Sequence, residues 1–394
     1  MTKNSIYKNN LNRSKVGVVG GGQLAQMLAN AAKKQNIKVI IQSPSETDPA
    51  AKITDHIVLA KPSDPVGTKK LLQYCDAITF ENEWVNINEL EKLEMEGASF
   101  YPPISALEPL VDKIAQRTLL DNLNIPGPDW IELTSDSIGS AKLPKGWDFP
   151  LMAKIGRGGY DGKGTRVINS FSDLNQLLLS VNREEWFLEK WVSFERELAL
   201  VASRDKYGKI QIFPIVETSQ IDQICNWVLA PADIEHSVEI LAQNIVSSLL
   251  THLNYKGVLA IEFFYGPCGL LVNEIAPRTH NSGHYTIDAC NTSQFEQQLS
   301  VVIGNQIVPP KLVAPGAFMV NLLGLQKDHC IPLAERISQI KKLDGAYFHW
   351  YDKSKETQGR KMGHVTFLLS EKTSNSRREE AFKKLEIIRM IWPN

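Results

Sequence analysis

The sequence predicts a multidomain protein of mixed α/β and α+β class, with a parallel-sheet N-terminal domain, a larger central region and a small β-rich C-terminal domain. Three observations carry this. Over residues 15–110, short apolar runs alternate with segments of helical composition, the βαβ pattern of a parallel sheet. Beyond residue 111 the order changes, and a helix leads through the breaker IPGP (125–128) into strands joined by glycine-rich turns. Past Gln306 the proline-rich stretch IVPPKLVAPG precedes three further strands. A chain of 394 residues is also too long for one ordinary core. The expected division is 15–110, 111–305 with a lid subdomain over about 128–192, and 306–394. Residues 1–14, polar and lysine-rich without an apolar centre, read as a disordered extension and not as a secretion signal.

In order, residues 16–19 form a strand entering Gly20-Gly21-Gly22-Gln23-Leu24-Ala25, residues 24–34 are helical and residues 38–42 return as a strand. Strands at 56–59, 77–80 and 98–101 extend this sheet, separated by helices at 67–74 and 87–96. A helix at 112–123 opens the central region. Strands follow at 186–192 (WFLEKWV) and 197–201 (ELALV), then a long amphipathic helix over 233–252. The C-terminal strands are 318–322, 347–351 and 364–369.

Charge and cysteine usage exclude several classes. A formal charge of −1 gives no long-range attraction for nucleic acid or an anionic membrane, so any basic site is local. No segment approaches the length of a membrane span. Five scattered cysteines without a CxxC pair indicate neither a disulfide framework nor a zinc site, and a reducing cytoplasm fits.

The chemistry concentrates in two places. Residues 258–264 (VLAIEFF) and 270–276 (LLVNEIA) are apolar runs with single acids, Glu262 and Glu274, joined by the turn-forming YGPCG. If the register puts both acids on one face, two carboxylates lie side by side among hydrophobic residues. Burying such charges unpaired costs several kcal/mol each, which calls for a cation. Oxygen-only ligands suit Mg²⁺ held together with phosphates. The alternative is that one acid pairs with Arg278 and the other faces solvent. Upstream, residues 154–165 (KIGRGGYDGKGT) form a glycine-rich strand-loop-strand whose backbone N–H groups can face an anion, with Lys154 and Lys163 adding positive charge. It is not a Walker loop, because Arg157 stands where glycine is required and Gly164 follows Lys163. A hairpin tip needing glycine only for its turns is the plainer reading. The acids downstream favour nucleotide binding.

The N-terminal glycines match the G-x-G-x-x-A form of a dinucleotide fingerprint, Gly20-x-Gly22-x-x-Ala25, but the ribose-binding acid is late, at Glu46. They are read instead as a backbone anion site at a helix N-terminus, serving a ligand other than the nucleotide.

The motifs GGGQLAQM (20–27), TFENEWV (79–85), GGYDGKG (158–164), FLEKWV (187–192) with FEREL (194–198), VNEIAPRTHNSGHYT (272–286) and HWYDKSKETQGRKMGH (349–364) occur in this order. Together they resemble the N5-carboxyaminoimidazole ribonucleotide synthetases, ATP-grasp enzymes of purine biosynthesis. The likeness runs from Lys15 to all but the last stretch of the chain. GGYDGKG marks the superfamily broadly, whereas the last two motifs separate these enzymes from formyl-transferring and biotin-carboxylating relatives.

The resemblance implies an ATP-grasp fold behind a Rossmann-like domain and an ATP-dependent carboxylation of 5-aminoimidazole ribonucleotide by bicarbonate, through carboxyphosphate. Glu262 and Glu274 would hold Mg²⁺, with Mn²⁺ as an alternative. ATP would meet Lys113, Lys154, Gly159, Tyr160, Asp161, Gly162, Lys163, Gly164 and Thr165 on its phosphate side. Its adenosine half would meet Glu189, Lys190, Trp191, Val192, Glu197 and Glu217, and Asn273 would accompany Glu274. Within this set, Glu189 would accept from the adenine amino group and Glu197 from the ribose. Arg278, His280 and Asn281 would serve bicarbonate and the transferred phosphoryl group. The ribonucleotide would meet Gly22, Gln23, Leu24, Glu81 and Tyr160, with its phosphate on Lys353, Arg360 and Lys361. A homodimer and coupling to the following mutase are further implications, with no nucleic-acid or membrane partner. One departure stands out: where the family commonly has asparagine and histidine followed by Gly-Ile, residues 217–224 read ETSQIDQI, so that loop cannot rest on glycine. A sister ATP-grasp enzyme, a dinucleotide oxidoreductase and a catalytically silent binding module are the competing readings. The 349–364 motif opposes the first, the second nucleotide signal at 158–164 the second, and the intact acids and lysines the third.

Overall fold

A computed structural model of the chain describes residues 14–134, 143–159, 164–325 and 331–393. Apart from Ser14, whose N–H donates to Asp76, the expected N-terminal extension lies outside these residues.

The first domain is the predicted parallel sheet. Strands Lys15–Val19, Lys38–Ser43, His56–Leu59, Ala77–Phe80 and Phe100–Tyr101 are ordered third, second, first, fourth, fifth across it. That order reverses direction beside Lys15–Val19, and ligands of open α/β sheets bind outside the carboxyl ends of the strands at such a reversal. Helix Gln23–Lys34 covers one face with Ala25, Leu28, Ala29 and Ala32, whose small side chains let it approach closely. It also shares a core with Phe295, Leu299 and Val302 of helix Gln294–Ile303, which ties the first domain to the central region.

The central sheet is antiparallel and has nine strands. Its path runs Gly269–Ala276, Gly257–Gly266, Arg196–Arg204, Val216–Ile221, Ile224–Ala230, Gly316–Leu323, Lys361–Leu369, Ala346–Trp350, with Ile210–Ile212 beside Arg196–Arg204. The three C-terminal strands therefore extend the central sheet instead of building one of their own. Trp227 and Leu229 share a core with Phe318, Val320, Val365 and Phe367. Helix Ser374–Ile391 caps that core through Ala381, Leu385, Ile388 and the following Trp392, spaced along one helical face. Each fully buried Leu or Ile contributes roughly 1.5–3 kcal/mol, which explains why the loosely patterned end of the chain folds at all.

A third sheet of four strands, ordered Trp130–Glu132, Trp186–Lys190, Leu151–Ile155, Thr165–Ile168, packs on helix Phe171–Ser180 around Leu151, Ala153, Leu174, Leu177 and Leu188. It carries the glycine-rich loop.

Candidate active site

The predicted hairpin forms, and its register sets Glu262 directly opposite Glu274. Ala199 lies opposite Glu262 on the neighbouring strand, and Glu197, two residues earlier, shares its face. Three carboxyls thus share one face of the sheet. Burial, and then the charge of Glu274, pushes the Glu262 carboxyl up to about 7. Burial and Glu262 do the same to Glu197. Glu274 is 40 % exposed at the cleft, and although burial works to raise it, Lys113 at 2.5 Å holds its carboxyl down at about 2. An oxygen-only donor set in which burial and a neighbouring carboxylate keep one carboxyl protonated near neutrality, against the pull of the surrounding cations, fits a hard divalent cation.

Lys113 is the first residue of helix Lys113–Asn122, whose N-terminus is capped by the Asp112 side chain accepting from Ile114 and Ala115. Asp112 also receives Arg157 of the glycine-rich loop at 2.9 Å. In that loop, Leu151–Ile155 pairs with Thr165–Ile168, and Gly158 and Gly164 take φ of 80° and 88°, the left-handed conformations expected of them. Gly159 and Thr165 are placed beside this turn; Tyr160, Asp161, Gly162 and Lys163 lie outside the described residues. Lys154 projects inward to Asn273 Oδ1 at 3.1 Å and to Glu189 at 2.7 Å.

Glu189 requires a correction. Its carboxylate is only 2 % exposed and is spent on Lys154 and on Arg117, so it does not face a nucleotide base. Arg117 also donates to the carbonyls of Val272 and Asn273, which fastens this buried ion group to the strand of Glu274. Lys190 is likewise engaged, with Asp129 at 2.8 Å, whereas Trp191 is exposed and Val192 half-buried. Glu217 is a second correction. It lies opposite Leu198 and Leu229, on the face of the sheet away from Glu197 and Glu262, and accepts from Arg378 of the C-terminal helix at 2.8 and 3.0 Å.

The segment after the acidic strand turns back into the same cleft. His280 Nε2 is 3.7 Å from Glu262, and His280 Nδ1 meets the Ser282 hydroxyl at 2.9 Å. Gln294, fully buried at the start of its helix, accepts from the His280 N–H and donates to its carbonyl. Asn281 and Asn321 exchange two amide hydrogen bonds, at 3.0 and 2.7 Å. Arg278 donates to Glu83 of the first domain at 2.7 Å.

On the first domain, the N–H groups of Gly22 and Leu24 donate to Glu81 at 2.6 and 3.1 Å. The predicted anion site at this helix N-terminus is therefore filled by the protein's own carboxylate. A Cβ on Gly22 would lie 2.3 Å from Glu81 Oε1, so glycine is required there to admit Glu81. Next to it, Lys353 donates to Gln23 Oε1 at 2.7 Å and to the Lys361 carbonyl at 2.6 Å. Arg360, adjacent in the chain, donates to the Lys355 carbonyl at 3.0 Å.

Known proteins share this arrangement of the chain. Residues 13–110 match the model of the ribonucleotide synthetase preATP-grasp domain, 118–295 that of the ATP-grasp domain, and 317–378 that of the phosphoribosylaminoimidazole carboxylase C-terminal domain. The N5-carboxyaminoimidazole ribonucleotide synthase of Synechococcus elongatus is 44 % identical over 96 % of this chain and 95 % of its own length. The chain belongs to the N5-carboxyaminoimidazole ribonucleotide synthase family. The crystal structure of the Staphylococcus aureus N5-carboxyaminoimidazole synthetase complexed with ADP superposes with a TM-score of 0.84 at 31 % identity, covering 95 % of this chain and 99 % of that one. The Aspergillus clavatus N5-carboxyaminoimidazole synthase, in complex with ADP and 5-aminoimidazole ribonucleotide, does so with a TM-score of 0.85 at 29 % identity, covering 96 % and 98 %.

The loop at 217–224, which lacks the glycine common in the family, is a hairpin turn in which Asp222 and Gln223 take φ of 50° and 62°. The left-handed pair is adopted without glycine, at about 1–2 kcal/mol per residue. Gln223 accepts a hydrogen bond from the Thr165 hydroxyl, so this turn touches the glycine-rich loop across the cleft. Phe194 stacks on Phe264 at 4.6 Å, and Phe264 lies directly opposite Glu197. Sequence reasoning missed this pair, as it missed Arg117, Glu83, Asn321 and Arg378. Glu83 inside TFENEWV, Phe194 inside FEREL and Phe264 inside VLAIEFF lay within motifs already singled out. Asp288, His349 and His364 come together behind the cleft, but the two imidazoles stack at 4.5 Å with planes 14° apart. Nitrogens in parallel planes do not converge on one ion, so this group is no metal centre as it stands.

Proposed function

We propose that this chain uses ATP and bicarbonate to carboxylate the exocyclic amine of 5-aminoimidazole ribonucleotide, giving N5-carboxyaminoimidazole ribonucleotide, ADP and phosphate. The observation that carries the reading is the meeting of Glu262, Glu274, Lys113, Lys154 and His280 in one cleft between the glycine-rich loop and the central sheet. A bicarbonate oxygen attacks the γ-phosphorus as its bond to ADP breaks, forming carboxyphosphate. The amine nitrogen then takes the carboxyl group, loses its proton, and phosphate leaves.

Lys113 and Lys154 offset the phosphate charge, and Gly159, Gly164 and Thr165 border it. Glu262 and Glu274 are the carboxylates that would hold Mg²⁺, or Mn²⁺ in its place; when bound, the ion neutralises phosphate oxygens during transfer. Arg278 and His280 supply fixed donors for bicarbonate and the phosphoryl group, while Asn281, engaged with Asn321, fixes the loop that carries them. Phe194 and Phe264 offer an apolar wall for the adenine beside Glu197, with the backbone of residues 189–192 at its edge. Gln23, Glu81, Lys353, Arg360 and Lys361 take the ribonucleotide, whose phosphate suits an arginine fork and two lysines. The division near 110 and 305 is supported by the change in element order along the chain, the cytoplasmic setting by the scattered cysteines, and the homodimer and coupling to the following mutase by the resemblance; no helix among the described residues is long and apolar enough to cross a membrane.

The test is ADP release from Mg-ATP and bicarbonate with and without 5-aminoimidazole ribonucleotide, with formate and biotin in control reactions. Strong stimulation by the ribonucleotide alone supports the reading. Turnover only with another acceptor overturns it.

A further inference from the structure

Arg278 is gripped from another domain. Glu83 lies just beyond strand Ala77–Phe80, at the carboxyl end of the parallel sheet beside the point where its order reverses. Its segment is pinned: Glu81 N–H donates to Val19, Trp84 N–H to the Asn82 side chain at 3.0 Å, and Val85 N–H to the Glu83 carbonyl. Within it the two acids diverge, Glu81 towards the amides of Gly22 and Leu24, Glu83 towards Arg278. Glu83 Oε2 accepts from Arg278 Nε at 2.7 Å, Oε1 lies 3.4 Å from Nη2, and Nη1 donates to the Thr279 carbonyl at 3.2 Å.

A guanidinium has five N–H groups in one plane. Among the described residues, Glu83 on the Nε–Nη2 side and the Thr279 carbonyl on one Nη1 N–H leave one N–H of Nη1 and one of Nη2 for a second planar anion, and Glu83 also fixes the plane in which that anion must lie. We propose that Glu83 is the positioning residue for bicarbonate: from the first domain it sets the rotation of the Arg278 guanidinium, so that the remaining N–H groups of Nη1 and Nη2 meet the carboxylate of bicarbonate in the cleft beside Glu262 and Glu274. This rests on the carboxylation reading above. Both partners of the pair are about four-fifths buried, so the bond is little screened. Burial opposes the charge on Arg278, yet Glu83, with Glu274 and Glu81 farther off, holds the guanidinium protonated. The bicarbonate site is then composite, complete only when the first domain and the central sheet are docked.

The experiment compares wild type, Glu83→Ala and Glu83→Gln in degassed buffer, varying bicarbonate, ATP and ribonucleotide separately and recording Tm. Glu83→Ala is expected to raise the bicarbonate KM by about tenfold or more, the worth of a charge-assisted hydrogen bond, while the ATP KM stays within about twofold. Glu83→Gln keeps the shape and one acceptor oxygen, and recovers part of the loss. A bicarbonate KM unchanged in both variants overturns the proposal. So does a parallel worsening of every KM with a fallen Tm in both, which marks Glu83 as a domain tie only. If Glu83→Ala does not fold, the isosteric Glu83→Gln decides by the same split between bicarbonate and ATP. Wild type that fails to turn over with bicarbonate and ribonucleotide defeats the carboxylation reading itself and this proposal with it. An active wild type with an indifferent variant defeats the positioning role alone.

Discussion

Glu262 and Glu274 face each other across one pair of antiparallel strands, yet their carboxyls titrate far apart, at about 7 and about 2. Lys113 causes the asymmetry: it lies 2.5 Å from Glu274, whereas the imidazole of His280 lies 3.7 Å from Glu262. One acid of the pair is thus charged already, and the other becomes so once a cation arrives.

Glu274→Gln therefore removes the permanently charged carboxylate of the pair and leaves Lys113 without this partner. ADP formation from Mg-ATP should fall by about a hundredfold or more, the usual cost of losing an electrostatic contact to the transferring group, with the far-ultraviolet circular dichroism unchanged. Undiminished activity would remove the metal assignment.

Stability should depend on pH in a defined direction. The Glu262 carboxyl holds its proton up to about 7 in the fold, against 4.5 in the unfolded chain, and Glu197 behaves alike. Between those values the folded state binds the extra protons, so metal-free stability falls as pH rises from 5 to 8. Glu274 acts in the opposite sense but in another window: its stabilising contribution is complete above about 4.5 and is lost only as pH falls towards 2. The limit is about 3 kcal/mol for each raised carboxyl, and with Glu262 24 % exposed, solvent screening reduces this to roughly 1–2 kcal/mol. Melting without metal should give a lower Tm at pH 8 than at pH 5.5, with Glu262→Gln narrowing the gap. Added Mg²⁺ should raise Tm more at pH 8, where no proton competes for Glu262. A metal-free Tm that climbs from pH 5.5 to 8 contradicts this account.

Glu189→Ala discriminates between a base contact and a buried counter-ion. Arg117 and Lys154 would be left facing each other without a carboxylate, which costs about 3–5 kcal/mol when one partner of a buried pair is removed. A large drop in Tm is expected, with any rise in the ATP KM following from the loosened Lys154. A raised ATP KM at unchanged Tm would restore the adenine contact.

The contrast between Glu189 and Glu262 shows how far the residues could be read in advance. Alternation of apolar and acidic residues determines which face Glu262 and Glu274 share, because strand geometry has a period of two. The parallel sheet was legible for a similar reason, each of its strands being a short apolar run between helical segments. Glu189 sits in an equally apolar strand, but its partner Arg117 is 72 residues away on a helix, and nothing local signals that pairing. Glu217 is hidden in the same way by Arg378, 161 residues on. The helix N-terminus at Gly22 was recognisable as an anion site, but the anion proved to be Glu81, supplied by the neighbouring strand. Extension of the central sheet by the C-terminal strands depends on the pairing of Ile224–Ala230 with Gly316–Leu323, a long-range match that periodicity does not encode.

Lys353 and Arg360 bring the phosphate assignment to a test in which two explanations separate. Lys353 already bonds Gln23 and the Lys361 carbonyl, so its removal deletes a link between the C-terminal strands and the first domain as well as a positive charge. Among the described residues the Arg360 side chain bonds the nearby Lys355 carbonyl, and its removal deletes chiefly the charge. If the ribonucleotide phosphate lies on both, Lys353→Met and Arg360→Ala should each raise the ribonucleotide KM about ten- to a hundredfold, as expected for hydrogen bonds to a charged group, and leave the ATP KM within about twofold. Gln23→Ala serves as the comparison, since it breaks the same interdomain bond and removes Gln23's own ribonucleotide contact while sparing the charge. Its effect on the ribonucleotide KM should be smaller than that of Lys353→Met. Should Gln23→Ala match Lys353→Met while Arg360→Ala has no effect, the two cations hold the domains together and the phosphate binds elsewhere.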